Sequence, residues 1–158
     1  MTNILVYGAP LAGKRTLVEL AAANWQVDVE RFELQVGGLD VSGAVGTRLR
    51  SPAMEVTTLS GSVWDESLWM RLWAPGRSAL ALVLDPQSAQ AEANEAALRR
   101  AIAFTGVRAG CVVLTKRDVW SAPPLELGPF GRWPVFQARS DQPEGAASPF
   151  RWLASQCQ

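Results

Sequence analysis

Residues 8–16 read Gly-Ala-Pro-Leu-Ala-Gly-Lys-Arg-Thr. An apolar run, Ile4-Leu5-Val6-Tyr7, comes directly before them, and a stretch with helical character, Thr16 to Ala23, follows. A buried strand, a loop bounded by two glycines and ending in lysine, and then a helix is the context of a phosphate-binding loop. It restricts the chain to folds that set such a loop between a core strand and a helix N-terminus. Gly8 and Gly13 let the backbone curl so that several N–H groups point inward at an anion, and Lys14 adds a cation near the outer phosphates. The candidate phosphate ligands are therefore Gly8, Ala12, Gly13, Lys14, Arg15 and Thr16. One position departs from the pattern. The residue directly after the lysine is normally Ser or Thr, which holds magnesium; here it is Arg15, and Thr16 comes one residue late.

The 158 residues suffice for a single domain with a real core, and 48% hydrophobic against 19% charged residues is a globular balance. Lys+Arg and Asp+Glu are both 15, which removes a general electrostatic grip on nucleic acid. The chain has no histidine, so His-based acid–base chemistry and most zinc sites are excluded. Cys111 lies in an apolar run and reads as core, and Cys157 does not fit a prenylation signal. The N-terminus enters the first strand with no signal peptide, and no apolar stretch is long enough to span a bilayer. The expectation is a soluble, cytoplasmic protein without a membrane anchor.

Apolar runs alternate with helical patterns along the chain. Ile4–Tyr7, Leu80–Leu84 and Cys111–Leu114 read as strands buried on both faces, with Pro134–Ala138 as a last strand. Ser88 to Phe104 reads as a helix capped by Ser88, with Ala91, Ala97, Leu98, Ala101, Ile102 and Phe104 as its apolar positions. Arg31 to Leu59 alternates as extended strands about a Ser51-Pro52 turn, in the manner of an antiparallel hairpin. The region 119–133 is rich in Pro and Gly, so any helix there is short. The stretch from Pro149 to Gln158 is short for a final helix, which would leave it frayed or completed by another chain. Together these predict an α/β domain over residues 1–158, a mostly parallel sheet of about six strands flanked by helices.

A second motif stands after the strand Cys111–Leu114. Thr115-Lys116-Arg117-Asp118 resembles the guanine-specificity motif of small GTPases, [NT]-K-x-D. There the Asp carboxylate accepts hydrogen bonds from guanine and the lysine stem packs on the ring. Thr58-Leu59-Ser60-Gly61-Ser62-Val63 is similar to T-V-P-G-Q-V of the bacterial gliding-motility GTPases of the MglA type. Leu84-Asp85-Pro86-Gln87 resembles their A-D-S-Q, and Glu92-Ala93-Asn94 with Leu98 resembles the start of their next helix. Gln137-Ala138-Arg139 falls where small GTPases carry a second base-contacting loop. The resemblance implies a P-loop NTPase of Ras-like fold binding GDP or GTP at the carboxyl ends of its strands. Thr115, Lys116, Asp118, Ala138 and Arg139 would then line the base.

Several residues depart from the family pattern. Arg15 replaces the magnesium ligand. Thr58 stands where most GTPases have a metal-associated Asp, although the MglA type also has Thr there. Ser62 replaces the glutamine that positions the attacking water. No Thr lies between Thr16 and Thr47 to sense a γ-phosphate. Thr16 does not replace the missing ligand, because one residue along a helix turns a side chain by about 100°. These changes predict slow or absent hydrolysis and put magnesium in doubt. Arg15 either lays its guanidinium beside the β-phosphate in place of the metal, or turns away to solvent or to an acidic partner.

Three of the seven tryptophans, Trp64, Trp69 and Trp73, follow Thr58–Ser62 at the place of the second switch. On a helix Trp64, Leu68 and Leu72 share one face, while Trp69 and Trp73 share an adjacent one. That apolar arc is wider than a single core stripe needs. The three rings are either core or an exposed aromatic patch for a partner, with Asp65, Glu66 and Arg71 as its polar rim. The resemblance implies a roadblock-fold protein as that partner. Two functional readings follow. One is a guanine-nucleotide-binding regulatory protein that signals through a protein partner. The other is a nucleotide-free pseudo-GTPase that acts as an interaction scaffold. An ATP-using enzyme fits less well, since no catalytic base presents itself.

Overall fold

Three apolar runs form the centre of one sheet. In the computed structural model, which describes residues 1–34, 44–60, 66–76, 78–115, 126–138 and 142–158, the strands are β1 Thr2–Gly8, β2 Val29–Leu34, β3 Ala44–Arg50, β4 Met54–Leu59, β5 Ser78–Leu84, β6 Gly110–Leu114 and β7 Val135–Gln137. Their spatial order is β2-β3-β4-β1-β5-β6-β7. β1 runs parallel to β4 and β5, and β6 runs parallel to β5 and β7. The β2–β3 and β3–β4 pairs are antiparallel. The sheet therefore has seven strands where the sequence predicts about six, and the alternating segment Arg31–Leu59 accounts for the antiparallel end.

Burial explains which strands lie inside. Every residue of β5 is buried, and in β1 only Asn3 is exposed. Each buried leucine of β5 contributes on the order of 2 kcal/mol through removal of apolar surface from water. At the outer end no residue of β2 is fully buried, as expected of a solvated edge strand: β2 reads intermediate, exposed, exposed, intermediate, exposed, intermediate. The turn between β3 and β4 is closed by Ser51, whose N–H donates to the Met54 carbonyl at 2.9 Å and whose hydroxyl oxygen accepts from the Met54 N–H at 3.2 Å.

Among the described residues four α-helices cover the sheet: α1 Lys14–Trp25, α2 Glu66–Leu72, α3 Ala91–Ala101 and α4 Pro143–Gln156. Right-handed crossovers leave β1 and β5 in opposite directions across the sheet, which sends α1 and α3 to opposite faces. α1 packs against α4, and Leu17, Val18, Ala21 and Ala22 form its buried side. α4 begins earlier than the sequence predicts. Pro149 lies buried inside it, Gly145 sits four residues before the proline ring, and Phe150 and Leu153 fill the core. The helix is thus complete within the chain rather than frayed from Pro149 onward. The helix expected over Ser88–Phe104 is shorter, a 3-10 turn at Ser88–Gln90 followed by α3. Ile102 is exposed and Phe104 is buried beyond the helix end.

Candidate functional site

The parallel strands bring the ends of β1, β5, β6 and β7 to one rim, and the glycine loop lies on that rim between β1 and α1. A side chain at Gly8 would collide with the carbonyl of Val83 on β5, so the chain at the end of β1 runs close against its neighbour. The loop then folds back through two left-handed residues, Leu11 at φ 64° and Gly13 at φ 95°. The Ala12 N–H closes it by donating to the Ala9 carbonyl at 3.2 Å. Leucine in the left-handed region is strained, and such strain concentrates at binding loops.

Lys14 is the first residue of α1 and only 3% exposed. Its Nζ donates to the Gly8 carbonyl at 2.9 Å and to the Ala9 carbonyl at 2.8 Å. These bonds clamp the loop around the ammonium and use two of its three donors. Burial lowers the Lys14 pKa from 10.5 to about 8. The first helical hydrogen bond runs from Leu17 N–H to the Gly13 carbonyl at 2.9 Å. The N–H groups of Lys14, Arg15 and Thr16 therefore lie ahead of the helical ladder, at the positive end of the helix dipole. No acidic residue occupies that first turn, whose first two residues are cations. The arrangement disfavours the bare helix and favours an anion at its mouth.

Thr115, expected at the base, anchors the loop. Its Oγ1 donates to the Ala12 carbonyl at 2.6 Å, and its side chain lies where a Cβ on Gly13 would meet it, at 3.6 Å. Its backbone N–H donates to the Leu84 carbonyl at 3.0 Å. Ala138 lies beside it, 4% exposed, with its N–H donating to the Leu114 carbonyl at 2.9 Å. That N–H belongs to the sheet and is not presented to a ligand. Lys116, Asp118 and Arg139 lie outside the described residues, as do Ser62 and Trp64.

Arg15 turns away from the loop. Its Nε meets Glu19 Oε1 at 2.7 Å, one turn along α1, with both side chains about half exposed. Thr16 is exposed. Thr58 faces inward, 1% exposed, and its hydroxyl donates to the Val6 carbonyl at 2.8 Å. The residues at both positions associated with magnesium thus have other partners. Among the described residues no cluster of three acidic, cysteine or histidine side chains offers a metal site. Magnesium, which the fold implies, finds no fitting protein ligands in these residues.

The sequence reading missed Asn94 as a determinant of the rim. It is buried in α3, its amide donates to the Asp85 carbonyl at 2.6 Å, and its Oδ1 accepts the Asp85 N–H at 3.3 Å. Asp85 Oδ1 in turn accepts the Gln87 N–H at 3.1 Å. The signal was an asparagine in line with Ala97 and Ala101 on the buried face of α3.

The aromatic patch is not on the surface at Trp69 and Trp73. Trp69 is 1% exposed and Trp73 7%. Trp69 stands edge-on to Tyr7 at 4.8 Å between ring centroids, and Tyr7 and Trp73 both pack edge-on against Phe104. The Trp73 indole N–H donates to the Thr105 carbonyl at 2.8 Å. α2 is short, so rings four residues apart both reach the core that joins β1 to the end of α3. Of the two readings of these rings, core or an exposed patch for partner binding, the burial of Trp69 and Trp73 selects core.

No protein-family model matches the sequence, and no curated protein matches it. Solved structures do. The G domain of the T. maritima FeoB iron transporter superposes with a TM-score of 0.65 at 16% identity, over 100% of this chain and 99% of that one. A GDP-bound point mutant of the S. thermophilus FeoB G domain superposes with a TM-score of 0.62 at 16% identity, over 98% of this chain and 60% of that one. The fold is that of the P-loop G domains. Among the described residues no helix is long and apolar enough to cross a membrane.

Proposed function

We propose that this chain is a guanine-nucleotide-binding domain of regulatory type, with slow or absent hydrolysis. The observation that carries the reading is the loop held ready around Lys14, with Gly8 and Ala9 carbonyls on the ammonium and Thr115 pinning Ala12. A loop clamped in this way meets a phosphate without first having to order itself. Guanine is favoured because Thr115 directly follows β6 and leads into Lys116-Arg117-Asp118, the order of the [NT]-K-x-D motif. The GDP-bound state of one structural neighbour is consistent with this choice. Slow hydrolysis follows from Ser62 in the place of the water-positioning glutamine and from Thr58, whose hydroxyl is spent on Val6.

The finer reading, an MglA-type member docking a roadblock-fold protein, rests on the resemblance of Thr58–Val63, Leu84–Gln87 and Glu92-Ala93-Asn94 with Leu98. Its docking surface would lie away from Trp69 and Trp73. The nucleotide-free scaffold loses the same two rings as its proposed contact. Titration calorimetry of nucleotide-stripped, folded protein is the test. Micromolar or tighter binding of GDP that ADP does not match is the expected result. No heat with any nucleotide would leave the scaffold reading.

A further inference from the structure

We propose that the nucleotide is held without a divalent cation, and that Glu19 restrains the arginine that takes the cation's place. The inference rests on the guanine-nucleotide reading above. Magnesium needs near-octahedral oxygen ligands, usually including a hydroxyl from the residue after the loop lysine. Here that residue is Arg15, a fixed positive charge beside Lys14 at the positive end of α1. Thr58 does not substitute, since its hydroxyl is buried and bonded to Val6. A site with two adjacent cations, where the one hydroxyl at these two positions is already buried and bonded to a carbonyl, disfavours a metal ion and attracts a phosphate.

Arg15 is not laid over the loop; Glu19 holds it at 2.7 Å. Both side chains are substantially exposed, and exposed pairs of this type are weakly held. A di- or triphosphate at the first turn of α1 offers more negative charge than one carboxylate, in a geometry suited to a guanidinium. Arg15 therefore exchanges Glu19 for phosphate when nucleotide arrives. Glu19 acts as a competitor that sets the affinity of the site.

The experiment is GDP titration of the stripped, full chain in magnesium and in EDTA, for wild type, Arg15→Ser and Glu19→Gln, each checked for folding by circular dichroism. Wild-type affinity is expected to agree within about twofold in the two buffers. Arg15→Ser is expected to lose about tenfold in EDTA and to recover it with magnesium, while Glu19→Gln binds several-fold tighter in both. Wild type that binds GDP only with magnesium would overturn the inference and leave the guanine-nucleotide reading standing. Equal affinity of wild type and Glu19→Gln would overturn the role of Glu19. Failure of GDP to bind under every condition would remove both readings.

Discussion

Thr115 Oγ1 donates to the Ala12 carbonyl at 2.6 Å across 103 residues of sequence. This bond joins the end of β6 to the phosphate loop, so the segment that would read the base also fixes the one that would read the phosphate. Thr115→Val keeps the shape and removes the donor, leaving a buried carbonyl unpaired. Unfolding in urea is expected to show a loss of about 1–3 kcal/mol. GDP affinity should fall as well, and Thr115→Ser should restore most of both.

Lys14 makes stability depend on pH. Its pKa is about 8 in the fold against 10.5 in the unfolded chain. Between these values the unfolded state binds more protons, so stability rises with pH. Burial pushes the Cys111 thiol the other way, from 9.0 up to about 12, and its contribution falls as pH rises above 9.0. The net rise is therefore expected between pH 8 and 9, with the two effects opposing each other above that. Chemical denaturation at a series of pH values checks it. Lys14→Met should abolish the rise and keep the fall.

Trp69 belongs to the core, so its removal should unfold rather than unbind. Trp69→Ala is expected to lose about 3–5 kcal/mol in equilibrium unfolding. Trp69→Phe should lose much less. Unchanged stability in the alanine variant would contradict the packing of its ring on Tyr7.

Gln26 ends α1 in a left-handed conformation, φ 56° and ψ 42°, where its N–H reaches the Ala22 and Ala23 carbonyls. Glycine adopts this geometry without steric strain. Gln26→Gly is expected to raise unfolding free energy by about 0.5–1 kcal/mol with nucleotide binding unchanged.

The parts of the fold most legible in the sequence were those under the simplest constraint. Leu80–Leu84 and Cys111–Leu114 are buried on both faces, and a continuous apolar run has few other uses in a short strand. The phosphate loop was legible because its backbone demands glycine at fixed spacing. The sequence leaves Trp69 and Trp73 open between core and surface because helical spacing reports a wide apolar arc and not what covers it. Here Tyr7 and Phe104, distant in sequence, close over both rings. Thr115 is placed at the site by the sequence, but its bond to the Ala12 carbonyl is not legible there, since a hydroxyl serves a ligand or a carbonyl equally well. The Arg15–Glu19 pair was in the sequence at helical spacing, yet only the side-chain geometry chose Glu19 from the alternatives.

Tyr7 is the only tyrosine of the chain and immediately precedes Gly8. With the Trp69 indole 4.8 Å away, light absorbed by the phenol passes to the indole before the phenol can emit. The folded molecule should then fluoresce as tryptophan alone. A tyrosine shoulder would grow as β1 and α2 separate, giving an intrinsic optical gauge of that contact, one residue from the phosphate loop.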